Sequence, residues 1–344
     1  MLTQHTRFTI AMAAVAVVAV VAGLTAASLC VGALSTGPGE TFRILGNWIH
    51  GHGFSSVPTD KETAVLHYRV PRTCVIVIAG IGLGLAGTLI QGHTRNPLAD
   101  PGLLGISAGA ALAIVVGIWF LDIDSVLGQV LLAFAGAAVA ATAVFAIGGT
   151  GRRGDDPVGL VLAGAAVSAL FGALTTTIIL RSSQALDTFR HWTSGSVAWV
   201  DTGLLLSAAI PLLIGAVIAF ASAPGMNLLT MGSEAASSLG LNVPRLRVAG
   251  LIAVTVLAGA ATAVAGPLAF LGLTAPHIAR GLVGADYRLI LPMAAACSTA
   301  ILFIADIIGR VVADREIPAG VMLVFVGVPF FLIVVRRTRF RAVA

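Results

Sequence analysis

The sequence contains few charged residues, few aromatic residues and a single lysine. Asp, Glu, Lys and Arg make up 10% of the 344 residues, whereas a soluble domain averages about a quarter. Lys61 is the lysine, and the other basic residues are arginines. Hydrophobic residues make up 58% of the chain and the mean hydropathy is +1.00. One soluble core could not bury so much apolar surface, which excludes an ordinary soluble enzyme, a disordered chain and a nucleic-acid-binding domain.

The sequence also lacks the short motifs of catalysis and cofactor binding. It has no GxxxxGK[ST] phosphate loop and no HExxH pair. The three cysteines are far apart and sit in apolar runs, so we interpret them as small buried hydrophobes rather than ligands. We therefore expect a non-catalytic protein without a cofactor or a metal site. If ATP drives it, another chain hydrolyses the ATP.

Long apolar runs dominate the chain and predict about ten membrane spans. The third and eighth are short and rich in glycine and proline, so we expect them to be broken or tilted. The first is longer than the apolar part of a signal peptide. The fold class is therefore an all-α polytopic membrane protein, forming one domain over residues 1–344. The predicted spans are 11–33, 72–92, 102–120, 127–148, 158–180, 203–222, 248–266, 268–283, 290–309 and 318–335.

The distribution of charge between the spans predicts an orientation. With ten spans and both termini on one side, that side holds 12 basic and five acidic residues, and the other side holds eight basic and nine acidic residues. Positive charge is enriched in cytoplasmic loops. We therefore expect a multi-pass protein of the cytoplasmic membrane with both termini in the cytoplasm. Its 40 glycines suit closely packed membrane helices surrounded by lipid.

The segment RNPLADPGLLGISAGA at 95–110 is the most informative motif. By itself it describes a tight polar turn with two prolines between apolar helices. It also resembles the signature of the FecCD/BtuC-type permeases of bacterial ABC importers for iron–siderophore, haem and cobalamin. The resemblance continues from about residue 68 to residue 335, and it implies the BtuC-like type II importer permease fold. The further matching stretches are YRVPRT at 68–73, GSEAASSLGL at 232–241, GPLAFLGLTAPHIAR at 266–280, ADIIGR at 305–310 and EIPAG at 316–320.

A small-residue segment with one acid lies between the sixth and seventh predicted spans. As a short helix it would present an acid and small side chains that allow close docking of a partner. The alternative is a solvated connector. The resemblance implies a coupling helix that contacts the ATPase, with Ser233, Glu234, Ala235 and Gly240 as the contact residues.

Three arginines lie at predicted outer ends of spans, where basic residues are the minority. The resemblance implies that Arg69, Arg72 and Arg310 pair with acidic residues of a substrate-binding protein. The alternative is local pairing, because Arg310 follows Asp306 by four residues and the two would be neighbours on one helix face. Both roles are compatible.

Two residues of the 95–110 segment match the cytoplasmic gate of similar permeases, namely Asn96 and Leu98. The alternative for each is a plain turn stabilised by proline. The resemblance also implies that the fifth and tenth spans line the pathway.

The sequence thus predicts the permease subunit of an ABC importer. The implied partners are two ATPase subunits, a second permease copy or paralogue, and an extracytoplasmic substrate-binding protein. Iron–siderophore ranks before haem and cobalamin as cargo, by frequency in the family. The rival hypothesis is a stand-alone secondary transporter, because Asp306 is an acid inside a predicted span and such acids often couple ion flow. A passive structural membrane protein is the third possibility.

Overall fold

The computed structural model describes residues 4–32, 34–50, 59–123, 125–148, 157–198, 202–313 and 315–342. Within these ranges the chain is all helical, without a strand. A π-helical turn (Ala64–Arg69) precedes α4, and a 3₁₀ turn (Pro101–Leu104) precedes α5. The α-helices are α1 (Gln4–Cys30), α2 (Pro38–Ile49), α3 (Asp60–Thr63), α4 (Val70–Thr94), α5 (Ile106–Leu121), α6 (Val126–Gly148), α7 (Pro157–Ile179), α8 (Ser183–Thr193), α9 (Thr202–Leu229), α10 (Ser233–Ser238), α11 (Val243–Ala265), α12 (Leu271–Val283), α13 (Tyr287–Val311) and α14 (Ala319–Ala342).

Each predicted span corresponds to a helix, so the fold class predicted from the sequence is confirmed. Seven stretches are long and apolar enough to cross a bilayer by themselves. Shorter apolar helices are α5 and the Ala319–Ile333 part of α14. The remaining span corresponds to α12, which has 13 residues and is about 20 Å long, short of the ~30 Å hydrocarbon core.

The prediction that the third and eighth spans are interrupted is confirmed. The third begins as the 3₁₀ turn, and Gly105 with a φ of 70° separates that turn from α5. The eighth begins with non-helical backbone at 266–270 before α12 starts. Irregular backbone at membrane depth is tolerated where protein surrounds it, and the first residues of α12 are buried.

The described residues of the connection between the first two spans include helical segments. These are α2, which begins at a proline, and the α3 and π-helical turns that run directly into α4. Proline suits the first turn of a helix because its missing N–H would have no partner there. Single π-helical turns inside helices often mark functional positions, and this one ends at Arg69.

Helix α4 is the centre of the bundle and packs against α9, α11, α12 and α13. Glycines on α4 allow this close approach. A Cβ atom on Gly84 would lie 2.6 Å from the carbonyl oxygen of Ala294 on α13, and a Cβ on Gly80 would lie 2.6 Å from Cα of Thr299. Without a hydrophobic driving force between helices in lipid, such backbone contact is a main source of stability.

Helix α1 is peripheral by comparison. None of its most apolar window is buried inside the chain. Only a few of its side chains, including Ile10, Ala14 and Val17, contact the small cluster of buried residues on α12 and α13. Packing alone therefore holds α1 weakly, and its C-terminal end needs another attachment.

We predict that Gly84→Ala destabilises the protein by about 1–3 kcal/mol, the usual cost of overpacking a tight core. The added methyl group would meet the backbone of Ala294, which cannot rotate away as a side chain can. Thermal unfolding in detergent, followed by size-exclusion chromatography, measures the change. Gly172→Ala is the matched control, because a Cβ on Gly172 meets nothing within 4 Å. Equal unfolding temperatures for the two variants would contradict the packing argument.

Candidate functional site

The residues singled out in the sequence lie at two opposite ends of the helix bundle. One end carries α2, the C-terminal end of α1 and the start of α4, and we name it the α2 side. The other carries α10, the end of α4 and the start of α13, and we name it the α10 side. Arg69, Arg72 and Arg310 are on the α2 side.

On the α2 side, Arg69 binds the C-terminal end of α1. Its Nη1 donates to the carbonyl oxygens of Leu29 at 3.0 Å and Cys30 at 2.8 Å. The same guanidinium reaches the hydroxyl of Thr36 and the carbonyl of Leu34, and Arg69 is only 5% exposed. The last carbonyls of a helix have no partner inside it and carry partial negative charge. The buried cation therefore caps α1.

Asp306 on α13 is completely buried and holds two arginines. Its Oδ1 accepts from Nε and Nη2 of Arg72 at 3.0 and 2.7 Å. Its Oδ2 accepts from Nε of Arg310 at 2.9 Å, and Arg72 also binds Glu316 at 2.7 Å. A buried carboxylate requires such pairing, because its desolvation is costly.

Arg310 extends this ion-pair network to α1. Its Nη1 donates to the carbonyl oxygens of Ser28 and Val31, both at 2.9 Å, and its Nη2 donates to the Ser28 hydroxyl at 2.8 Å. Arg69 and Arg310 together therefore attach the end of α1 to α4 and α13. We call Arg69, Arg72, Asp306, Arg310 and Glu316 the arginine cluster.

The local pairing of Arg310 with Asp306 expected from the sequence is confirmed. Arg72 is the partner that sequence reasoning missed, because 234 positions separate it from Asp306. The side chains of Arg72 and Arg310 are 11% and 2% exposed, and their donors bind groups of this chain. Contact of these arginines with a binding protein stays a prediction.

On the α10 side, the small-residue segment forms α10, a helix of six residues between α9 and α11. Glu234 and Gly240 are exposed, Ser233 and Ala235 are half-buried, and Ala236 is buried against the bundle. The helix thus presents an acid and small side chains outward, as expected for a docking element. Contact with a partner at these residues stays a prediction.

The α4–α5 loop, residues 95–105, lies beside α10. Asn96 organises its first turn, since its Oδ1 accepts from the N–H of Leu98 at 3.0 Å and its carbonyl accepts from the N–H of Ala99 at 3.1 Å. Leu98 is 37% exposed. An asparagine that bonds the backbone two residues on is typical of a tight turn. This geometry is compatible with both hypotheses for Asn96 and Leu98, namely a cytoplasmic gate and a plain turn stabilised by proline.

Gln91, near the end of α4, joins the loop to α12 and was not recognised from the sequence. Its Nε2 lies 3.3 Å from the carbonyl oxygen of Ala99 and 3.2 and 3.3 Å from those of Gly272 and Leu273. Its Oε1 accepts from Nη1 of Arg280 at 2.6 Å. A buried glutamine inside an apolar helix is the signal that could have identified it.

The α4–α5 loop lies between two cavities. Asp100, Pro101 and Gly102 help line a cavity of about 360 Å³ on the interior side. Arg95 and Pro97 help line a more open cavity of about 480 Å³ on the α10 side. The loop therefore contributes to the lining of both spaces.

Asp100 is the titratable group that faces the interior cavity. Its Oδ1 accepts from the N–H of Gly102 at 2.8 Å and so caps the 3₁₀ turn. Desolvation among the surrounding protein atoms raises the pKa of this carboxyl to about 6, although the bond from Gly102 acts to lower it.

We predict that Asp306→Asn destabilises the protein by about 3–5 kcal/mol, because buried Arg310 loses its counter-charge and Arg72 keeps only that of Glu316. The free energy of unfolding in detergent measures the effect. Glu40→Gln is the control, since Glu40 forms an exposed ion pair with Lys61 and exposed pairs contribute ~0–1 kcal/mol. A loss for Asp306→Asn no larger than that of the control would rule out a structural role of the network.

We predict that the free energy of unfolding of Asp100→Asn differs from that of the unchanged protein by an amount that depends on pH. Because the folded-state pKa is raised, folding binds a proton, and this stabilisation is present at pH 4 and is lost as pH rises through about 6. Asparagine stays neutral and keeps the Gly102 bond. The variant should therefore become relatively more stable by up to about 3 kcal/mol at pH 7.5, since one pKa unit is ~1.4 kcal/mol. Unfolding measured at pH 4.5, 6.0 and 7.5 tests this; parallel profiles would refute it.

Comparison with known proteins identifies the family. The model of the FecCD transport family matches residues 7–337. The ferric enterobactin transport system permease protein FepD of Escherichia coli is 45% identical over 275 residues, covering 80% of this chain and 82% of FepD. The probable siderophore transport system permease protein YfiZ of Bacillus subtilis is 39% identical over 280 residues, covering 81% of this chain and 84% of YfiZ.

A solved structure has the same fold. A putative metal-chelate type ABC transporter in an inward-facing conformation superposes with a TM-score of 0.79 at 25% identity, covering 94% of this chain and 98% of that chain. Other relatives are permeases for iron citrate, hemin and cobalamin. The chain therefore belongs to the FecCD transport family and is a transmembrane ABC permease.

Proposed function

We propose that this chain is the permease subunit of an ABC importer that carries a ferric siderophore across the cytoplasmic membrane. The observation that carries the proposal is the 45% identity to the ferric enterobactin permease over 80% of the chain. The hemin and cobalamin permeases are 37% and 36% identical, so these two cargoes are the alternatives that an uptake experiment must include.

The α10 side faces the cytoplasm in this proposal, and both termini lie there. The excess of basic residues on that side supports the orientation, because positive charge is retained in the cytoplasm. The helix order agrees, since α1 ends on the α2 side and α14 begins there.

Helix α10 is the docking site for the ATPase, with one ATPase subunit on each of two permease copies. Exposed Glu234 and Gly240, together with half-buried Ser233 and Ala235, support this assignment. Small side chains let a partner approach the helix backbone, and Glu234 supplies the charge that orients it.

The α4–α5 loop is the cytoplasmic gate, with Asn96 and Leu98 at its turn. Its position between the two cavities supports this role. The pathway runs between two permease copies or paralogues, along the fifth and tenth spans, which are α7 and α14. On α7 the hydroxyls of Thr176 and Thr177 bond back to carbonyls of their own helix, which leaves a wall with little polarity to retain a bulky cargo.

The substrate-binding protein docks on the α2 side. In the arginine cluster, Arg72 and Arg310 bind the two carboxylates of Asp306 and Glu316, and Arg69 adds a third positive charge beside the end of α1. The remaining positive charge of the cluster attracts acidic residues on a partner. A cavity of about 470 Å³ lies beside the cluster and is lined by Tyr68 among others. A side chain of the partner can insert there.

The alternative of a stand-alone secondary transporter requires Asp306 to exchange ions. Both carboxylate oxygens instead bind guanidiniums within the chain, which favours a structural role. Transport that continues without any ATPase and stops in Asp306→Asn would favour the alternative.

The test of the proposed function is reconstitution. The permease is purified gently from its native membranes with its bound chains, placed in proteoliposomes, and supplied with the co-purified binding protein. Uptake of ferric enterobactin, hemin and cobalamin is measured with and without ATP. ATP-dependent uptake of the ferric siderophore is the expected result. Uptake of hemin or cobalamin instead would show that the proposed cargo is wrong. Uptake without ATP would refute the proposal that the protein is part of an ABC importer.

We predict that Glu234→Arg lowers the amount of co-purified ATPase, and with it uptake, by roughly tenfold or more, because a misplaced charge at an interface costs several kcal/mol. Folding and membrane insertion should not change, since Glu234 is exposed. Asp187→Arg on α8 is the matched control, since Asp187 is also exposed and lies away from α10. Normal recovery of the ATPase with Glu234→Arg would refute the docking role.

A further inference from the structure

We propose that Arg95 is a positioning residue that ties α10 to the α4–α5 loop through Ser233, so that a movement of α10 displaces the turn at Asn96 and Leu98. The inference rests on the proposed docking of the ATPase at α10, and it identifies the residues that pass the movement on.

The tie is a direct side-chain contact between two segments 138 positions apart. Nη2 of Arg95 donates to Oγ of Ser233 at 2.9 Å. Ser233 is the first residue of α10, and Arg95 immediately precedes Asn96. Nη2 of Arg247 on α11 donates to the same hydroxyl at 3.2 Å. The first residue of α10 is thus held between the end of α4 and the start of α11.

The backbone at Arg95 supports a role for its side chain. Arg95 ends α4 in the left-handed region, with φ 49° and ψ 29°. It is one of three residues other than glycine with positive φ in the described part of the chain. The N–H of Arg95 donates to the carbonyl oxygen of Gly92, and the N–H of Asn96 donates to that of Gln91. Glycine is the residue usually found at this position of a helix C-cap. Strained backbone persists where a side chain is needed, and here the guanidinium binds Ser233.

Helix α10 can move as a unit. Glycines flank it on both sides, Gly232 with φ 109° and Gly240 with φ 86°, and a Cβ on either would meet nothing within 4 Å. These are backbone conformations that glycine adopts readily. Of the six residues of the helix, only Ala236 is buried. A partner that pulls on exposed Glu234 therefore moves Ser233 with it.

The turn at Asn96 in the α4–α5 loop is held so that it follows a displacement of Arg95. The Asn96 turn is internally bonded, so it moves with Arg95 rather than deforming. Its far end is held near Gln91, whose amide lies close to Ala99 and to the start of α12. A displacement at Arg95 thus tilts residues 96–98 about a fixed point at Ala99, between the two cavities.

The experiment measures the accessibility of the loop in the complete complex with its ATPase. A cysteine in place of Leu98 reports on the loop through its rate of labelling by a membrane-impermeant maleimide. The rate is compared between the nucleotide-free complex and the complex trapped with ADP and vanadate. The same complex without Leu98→Cys corrects for the native cysteines. Trapping itself is followed by the retained nucleotide, so no cargo is required.

We expect the labelling rate to change on trapping in the complex with Arg95 and Ser233 intact. Arg95→Ala should abolish this change while the ATPase stays bound and traps nucleotide. Ser233→Ala should abolish it in the fraction of the complex that retains the ATPase. Ser233→Thr should restore it, because the hydroxyl acceptor remains. Arg288→Ala is the matched control, since Arg288 is another exposed arginine on the α10 side, and it should leave the change intact.

The outcomes separate the tie from the proposed function. A full nucleotide-dependent change in both alanine variants would overturn the tie. Loss of the ATPase from Arg95→Ala would also overturn it, because Arg95 would then act in docking. If the complex with Arg95 and Ser233 intact binds no ATPase or traps no nucleotide, the proposed function fails instead. Ser233→Ala removes one hydroxyl, so it keeps the test available if Arg95→Ala does not fold.

Discussion

The buried carboxylate of Asp306 is the interaction on which the α2 side of the protein depends. It holds Arg72 of α4 and Arg310 of α13 in place, and Arg310 then binds the last carbonyls of α1. Because α1 buries little apolar surface, this capping by buried cations attaches it to the bundle. Burying a charge in a membrane protein is unfavourable. Here the buried carboxylate is compensated by two arginines, and the resulting network joins α1, α4 and α13.

The α10 side uses neutral and charge-assisted hydrogen bonds instead. Gln91 lies between the α4–α5 loop and α12, and Arg95 lies between that loop and α10. These contacts surround one loop that separates two cavities. The α2 side is thus held by ion pairs, whereas single hydrogen bonds tie the loop on the α10 side.

Close helix packing connects the two sides. Gly80 and Gly84 bring α4 into backbone contact with α13, so these helices form a stiff centre. Elements with few buried residues, such as α10 between Gly232 and Gly240, lie outside this packed centre. Small residues therefore occur in two settings in this chain, since glycines allow close helix packing in the interior and glycines in open space flank α10.

The sequence by itself determined the helical class, the approximate spans and the interruption of the third and eighth, because apolar runs and their breaks follow from bilayer thickness and backbone hydrogen bonding. Its motifs also indicated the family, and the i,i+4 spacing indicated the pairing of Arg310 with Asp306. Only the tertiary structure decided that Arg72 shares that carboxylate, that Arg69 caps α1, and that Gln91 and Arg95 bind segments far along the chain. Periodicity reports which face of a helix is apolar, whereas these contacts depend on which helices become neighbours and at what depth.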